Sequence, residues 1–277
     1  MKRKREQDPQ RALAKALGGH ALPSFPRVAH RVLGMLRDPN AEPQAIADAL
    51  AEDPGLTVKV LGLANSSAFA VRHPVRNVSH SISLLGRSSL ESLLISLVVR
   101  RALPNPHVDG FDPNRFWRAA ARRATSARAL ADTLHPSTRG ECFTASLLSD
   151  MAVPLIARAH GDRYGEVLRQ WHSQGGDLAT LERDALGFDH ASTAGWVAEK
   201  WAFPEAIADA IGGHHDAEPG LELASVSLVA PLRENDDEGL DEVIETVRQR
   251  FGVHPDVVAD LLLASRADAD DIASRMV

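Results

Sequence analysis

Apolar residues in this chain recur every three or four positions and do not alternate with polar ones over a strand's length. That period leaves the α-helix as the element to build from. From Phe25, the positions Val28, Val32, Met35 and Leu36 form one helical face, which stops at the turn Asp38-Pro39-Asn40. Glu42-Pro43 opens a short helix with Ile46, Ala49 and Leu50 on one side. Asp53-Pro54 is a strong start signal, a capping carboxylate followed by a proline at the first helical position. The helix after it carries Leu56, Val60 and Leu63 and ends near Asn65. Residues 66–78 read as loop, and Ser79 caps a short helix ending at Gly86. Leu90 to Leu103 is apolar enough to lie centrally in a core.

The stretch LPNPHVDGFDPN, rich in Pro, Gly, Asn and Asp, is the best candidate boundary, near residue 108. Asp112-Pro113 then starts a helix running to about Leu134. Further helices are expected over 141–160, 163–174, 177–186, 189–201, 204–213, 221–233, 239–250 and 255–264. The expected fold is all-α, two helical layers or subdomains meeting near residue 108. No internal repeat or low-complexity block interrupts it, and the acidic run 234–245 reads as a solvated loop and helix face.

Composition narrows function. Of 277 residues, 44% are apolar and 25% charged, which suits a globular protein with a substantial core. A net charge of -6 argues against binding long nucleic acids over a broad basic surface. The one cysteine, Cys142, excludes an intramolecular disulfide and a cysteine-built zinc site, and fits a reducing compartment. The basic start MKRKREQDPQ has no apolar run behind it, so no conventional signal peptide is expected. No stretch reads as a membrane span. The expectation is a cytoplasmic protein.

Four features carry possible chemistry. Asp150 lies alone in SLLSDMAVPLI, and an unpaired buried charge is expensive. Either it holds a metal or it bonds to protein groups. His214-His215-Asp216 follows Gly212-Gly213, and His190 opens a helix behind the capping Asp189. Histidines and a carboxylate drawn from separate helices can hold divalent metals, although adjacent histidines at a helix end also serve as caps. Arg115, Arg118 and Arg122 are spaced to share one helix face, with Arg123 and Arg128 nearby. They form either a solvated face or a patch for phosphate or nucleotide.

Taken in order, these segments resemble the HDOD family, signalling relatives of the HD phosphohydrolases. The resemblance rests on LPSFPRVAHRVLGML (22–36), AIADALAEDPGLTVKVLGLANSSAFA (45–70), PVRNVSHSISLLGRSSLESLLIS (74–96), FWRAAARRA (116–124), SLLSDMAVPLI (146–156), LGFDHASTAGWVAEKWAFPEAIADAIGGHH (186–215) and SVSLVAPL (225–232). It covers about residues 20–235 and implies four regions. These are an N-terminal extension (1–19) disordered at its start, an N-terminal helical subdomain (20–107), an HD-like half (108–235) and a C-terminal helical extension (236–277).

Active HD enzymes order their metal ligands as His, His-Asp, Asp. Carried over by position, these fall at Ala119, Ser149-Asp150 and Pro231, so only Asp150 remains. The additional histidines of the cyclic-dinucleotide phosphodiesterase branch have counterparts at His190, His214 and His215. The GYP signature does not follow His215, where the chain reads DAEPGLEL. The resemblance therefore implies a non-catalytic bacterial regulator, linked to motility, stress or second-messenger signalling. Its metal pocket is vestigial, with no metal or cofactor expected, and Asp150 bonds to protein groups.

Its partners would be other signalling proteins, met through loop 66–78, with Phe69, Val71, Arg72 and Arg76 as contacts, or through the groove between the halves; packing of the apolar Phe69 and Val71 under the loop stands as an equal alternative to contact. Two alternatives stand beside this. One is a metal-dependent phosphohydrolase with an altered ligand set. The other is a sensor holding a small nucleotide through Arg115, Arg118 and Arg122.

Overall fold

In the computed structural model of the chain, the described residues are 9–69, 73–216, 223–233, 237 and 239–276. Among them there are fourteen α-helices and no strand. They are α1 (Pro9–Ala16), α2 (Arg27–Arg37), α3 (Pro43–Ala51), α4 (Pro54–Ala64), α5 (Val78–Ala102), α6 (Pro113–Leu134), α7 (Arg139–Leu148), α8 (Val153–Gln174), α9 (Leu178–Leu186), α10 (His190–Lys200), α11 (Glu205–Gly212), α12 (Ala224–Leu228), α13 (Leu240–Phe251) and α14 (Pro255–Met276).

Several starts follow from their caps. Asp53 accepts from the Leu56 amide at 3.0 Å, and Asp112 accepts from the amides of Asn114 and Arg115, each carboxylate capping a helix whose first residue is proline. Asn77, not Ser79, caps α5, accepting from the His80 amide. Gly86 sits at φ 82 inside α5, a left-handed backbone that breaks the helix between its two runs. Gly161, at φ 51, breaks α8 in the same way.

Past Gly86, α5 becomes the middle of the core, with Leu90, Leu93, Leu94, Ile95, Val98 and Val99 buried. Helices α2, α3, α4 and α7 all pack against it. Arg87 donates to the carbonyls of Met35, Asp38 and Ala41, which fixes the α2–α3 turn on α5. Helix α6 presents Ala120, Ala121, Ala124 and Ala127, all buried, and such small side chains let α7 and α14 lie close against it. One apolar cluster runs across residue 108, from Leu13 in α1 to Ala273 in α14.

The structure differs from the sequence reading in several places. The helix expected over 141–160 is cut by a turn at residues 149–152, so Asp150 lies between α7 and α8 rather than on a helix. The helix expected over 221–233 shrinks to α12, and the last helix runs on to Met276. Ahead of the expected family region, α1 seats Leu13 and Ala16 in the core. The loop at 66–78 contains a 3-10 turn, Ser67–Phe69.

Phe69 is not a surface contact residue. Its ring is buried, 5.7 Å from the ring of Phe143 and 4.4 Å from the guanidinium of Arg128. An aromatic ring gains more from that apolar socket than from water. Arg76 is exposed, while Val71 and Arg72 lie outside the described residues. By length and composition, α5 and the stretch 136–174 could cross a membrane, which the sequence reading did not expect, but both are largely buried inside the fold.

Candidate functional site

The turn between α7 and α8 delivers Asp150 to a pocket walled by α6, α9, α10 and the end of α11. Its Oδ2 accepts from Arg123 of α6 at 2.5 Å. Its Oδ1 lies 3.4 Å from Nε2 of His190 and 3.4 Å from Nε2 of His214. Asp150 thus bonds to protein groups. Burial alone would raise its pKa, but the Arg123 charge and the two imidazoles outweigh burial and hold it well below the ordinary value.

His190 begins α10 behind Asp189, whose carboxylate accepts from the Ser192 amide and from Arg183. The ring of His190 is buried, and its Nδ1 faces Glu182 Oε2 at 2.7 Å. Glu182, on α9 and fully buried, also accepts from the His190 amide and from the Tyr164 hydroxyl. His214 donates from Nδ1 to the Ile211 carbonyl at 2.7 Å. His215 sets Nδ1 3.2 Å from Oδ1 of Asp177, the cap of α9. Each Nδ1 is thereby engaged, and three Nε2 atoms are left pointing at one another.

Those Nε2 atoms stand 3.3 Å apart for His190 and His214, and 3.1 Å apart for His190 and His215. Lone pairs at that distance need a positive charge between them. Without a metal, a proton supplies it. Burial would lower His190, but the Glu182 charge and the hydrogen bonds to Asp150 and Glu182 win, and its pKa rises well above the ordinary value. His215 goes the other way, down to about 3, through burial and then through the charges of His214 and His190. The cluster thus favours one positive charge and resists a second.

A divalent ion could replace that proton. Donors bonded to one ion at about 2.1 Å and near-tetrahedral angles stand roughly 3.4 Å apart, close to the spacing seen. One ring nitrogen from each of the three histidines lies within 4.8 Å of the other two. Glu182, the Ile211 carbonyl and Asp177 orient the rings from behind, as outer partners of metal-bound histidines do. His190, His214, His215 and Asp150 therefore fit a single ion.

They do not fit a two-metal centre. Ala119 and Pro231 line the cavities around Asp150 but carry no donor, and the Ser149 hydroxyl donates to the Ala145 carbonyl at 2.8 Å.

Two cavities meet here. One of about 640 Å³ is lined by the three histidines, and one of about 300 Å³ by Arg115, Phe116 and Trp171; Asp150 and Arg123 line both. The three arginines expected to share a face separate. Arg115 lines the smaller cavity, Arg118 is exposed, and Arg122 is buried, donating to the Arg233 carbonyl at 2.6 Å. One position along, Arg123 is the cation that reaches the site. Sequence reasoning missed Glu182 and Asp177, because an acid in a polar stretch such as LERDAL reads as solvated.

The sequence matches the HDOD domain family over residues 22–217. In fold the chain is similar to three crystal structures. An HDOD domain protein of unknown function from Geobacter sulfurreducens is 21% identical with a TM-score of 0.70, over 96% of this chain and 99% of that one. A provisionally named phosphohydrolase from Shewanella amazonensis SB2B is 23% identical with a TM-score of 0.74, over 96% and 98%. A provisionally named signal transduction protein from Marinobacter aquaeolei VT8 is 22% identical with a TM-score of 0.71, over 97% of this chain and 65% of that one. An uncharacterized protein of Treponema pallidum (strain Nichols) is 21% identical over 199 residues, 70% of this chain. The match spans only 38% of that relative's length.

Proposed function

The chain belongs to the HDOD domain family, and from that premise we propose that it is a non-catalytic signal-transduction module of the cytoplasm that works by contacts with other signalling proteins. The carrying observation is the 2.5 Å pair between Arg123 and Asp150. Asp150 is the one acidic ligand that survives from the HD set, and a guanidinium takes its Oδ2. Arg123 is itself tied to the Leu232 carbonyl at 3.1 Å, so the cation is built in. A fixed guanidinium neutralises the carboxylate without supplying the activated water that metal hydrolysis needs.

Regulation of motility, stress response or second-messenger traffic is what the family resemblance suggests, and of the four expected contact residues of loop 66–78 Arg76 is the one described as exposed. The test is hydrolysis of a generic phosphodiester and of cyclic dinucleotides by purified protein supplied with Mn or Fe. No turnover is expected. Turnover abolished both by chelator and by Asp150→Ala would overturn the reading.

A second reading has its own observation, the convergence of the three Nε2 atoms. It is a metal-dependent phosphohydrolase with an altered ligand set. An ion held by His190, His214, His215 and Asp150 would supply Lewis acidity beside a phosphate. Around it, Glu182 and Asp177 would keep the imidazoles oriented. Elemental analysis of protein purified without chelator tests the first step, with one equivalent of a transition metal expected and its loss expected in His190→Ala.

A further inference from the structure

Helix α14 has a use that neither reading covers. Its inner face is one stripe at helical spacing, with Val258, Leu262, Ser265, Ala269, Ile272 and Ala273 buried. The stripe lies along α6, where Ser265 and Ser126 bring their buried hydroxyls to 3.2 Å. Beyond Ser265, α14 reaches α4 and the 3-10 turn that follows it, Ser67–Phe69. We propose that α14 is a displaceable clasp, and that the face it covers, α6 with the turn after α4, docks an amphipathic helix of a partner protein when the clasp opens.

Polar ties couple the turn to α14. A helix leaves its last carbonyls without partners inside the helix. At the end of α4 the Ser66 amide donates to Leu63, and the Gly62 carbonyl accepts from Arg275 of α14 at 2.9 Å. The Ser67 amide donates to Asp271 of α14 at 2.9 Å, and the Ser67 hydroxyl lies 3.4 Å from the same oxygen. Asp271 and Arg275 pair with each other at 2.7 Å. Two backbone groups at the exit of α4 are thus satisfied by side chains 204 and 213 residues further along the chain. When α14 leaves, the turn loses the partners that set its shape.

Several features make α14 easier to open than the core. In 22 residues it buries three large aliphatic side chains, Val258, Leu262 and Ile272, whereas α5 buries seven between Leu90 and Val99. Few buried apolar contacts give a low free energy of local opening. The Asp271–Arg275 pair is partly exposed, so water and salt compete for it. The link from α13 turns at Gly252, φ 68, in open space. The clasped turn also carries a cost: the Ser66 hydroxyl is buried with no hydrogen-bond partner among the described residues. A rearranged turn would remove that cost.

The chemistry of α14 describes the helix that would replace it. Ser265 and Ala269 are small enough to let it lie close to α6, and its acids face donors. Asp271 takes the Ser67 amide, and the charge of Asp268 acts on Arg128, the guanidinium over the Phe69 ring. Burial lowers the Arg128 pKa, and the carboxylates of Asp132 and Asp268 oppose that fall. A competing helix therefore needs an apolar stripe, a small residue facing Ser126 and an acid facing Ser67 and Arg128. That is the helix-in-groove mode of recognition. The docking step rests on the reading that this chain works through protein contacts, whereas the clasp does not.

The test of the clasp is native-state hydrogen exchange on the purified full chain. Amides of residues 262–273 and 67–69 are expected to exchange as one unit, about tenfold or more faster than those of residues 90–99 in α5. Asp271→Ala, and separately the exposed Arg275→Ala, are expected to speed exchange across 262–273 by about tenfold and leave 90–99 unchanged. Loss of one hydrogen bond at Ser67 would not move those distant amides. Exchange of α14 only together with α5, or a change confined to Ser67, would overturn the clasp. Docking is probed with a labelled synthetic peptide of residues 255–277. It is expected to bind the Asp271→Ala chain saturably and the wild-type chain about tenfold more weakly, because the clasp must open first. A scrambled peptide is expected not to bind. No saturable binding, or equal affinity for the two chains, sinks the docking site. Phosphodiester hydrolysis is followed in the same preparations, where turnover would sink the non-catalytic reading and leave the exchange result standing.

Discussion

Two regions of this protein reach the same burial by opposite means. Around α5, Leu90, Leu93, Leu94, Ile95 and Val98 are at most 1% exposed, and every one is aliphatic. Around Asp150 the side chains buried to the same degree are Glu182 at 0%, His190 at 1% and His214 at 2%. The first region is held by excluded water and filled volume. The second is held by matched charge, so each group there depends on its partners. The comparison teaches that burial does not say what a residue contributes. In α5 a change costs what is removed, whereas in the pocket it costs what is left behind.

The sharpest way to break the comparison is one substitution in each region. Leu94→Ala leaves a void in the core and is expected to cost about 2–5 kcal/mol in denaturant unfolding. Asp150→Ala, in chelator-treated protein, strands Arg123 and His190 and is expected to cost about 3 kcal/mol. The difference appears on double substitution. Arg123→Met with Asp150→Leu removes both charges and is expected to recover most of the loss, whereas the void at Leu94 has no charge partner whose removal would refund it. A double variant as unstable as Asp150→Ala would mean that the pair is not the pocket's main constraint.

The pH dependence sharpens it further. His190 has its pKa raised in the folded state, so its contribution is full below about 6.5 and is lost as pH rises through the raised value. His215 is lowered to about 3, so the folded state refuses a proton that the unfolded chain accepts below about 6.5, and stability falls as pH drops toward 3. Asp150, also lowered, adds to the loss on the acid side. Metal-free protein is therefore expected to be most stable near pH 6.5, measured as thermal midpoint against pH. His190→Gln is expected to flatten the alkaline limb. Leu94→Ala is expected to lower the whole curve and keep its shape.

The smallest effect compares two caps. Asp53 caps α4 beside the apolar core and pairs with Arg101 on the surface, while Asp177 caps α9 and also meets His215. Replacing either with Ala is expected to cost about 1 kcal/mol. Only Asp177→Ala is expected to weaken divalent-metal binding, by roughly 10–100-fold, since it frees the ring of His215. Equal metal affinity in both variants would remove Asp177 from the pocket's outer support.

Much of the fold was legible because its signals are local. The Asp-Pro starts at 53 and 112, the cap at Asp189 ahead of His190, and the breaks at Gly86 and near Gly161 are set by neighbours within a few residues. The apolar run from Leu90 to Leu103 announced its place in the core for the same reason. The candidate site was legible only as a set of histidines and one aspartate. The sequence left Phe69 two places, on its loop's surface or packed under it, and only packing chose the second; periodicity gave no sign that Asp150 would sit in a turn.

By itself the sequence determined an all-helical chain and the order of its helices, because helix period and capping act over a few residues. Only the tertiary structure decided which charges meet. A rotation of one residue along α6 puts Arg123 rather than Arg122 against Asp150. The packing of α9 on α10 turns Glu182 from an apparent surface acid into the buried acceptor behind His190. Such pairings join groups 27, 24 and 8 residues apart, as in Arg123–Asp150, His190–His214 and Glu182–His190, and their strength depends on distance and on the water they exclude. Both are properties of packed helices, not of any stretch of chain.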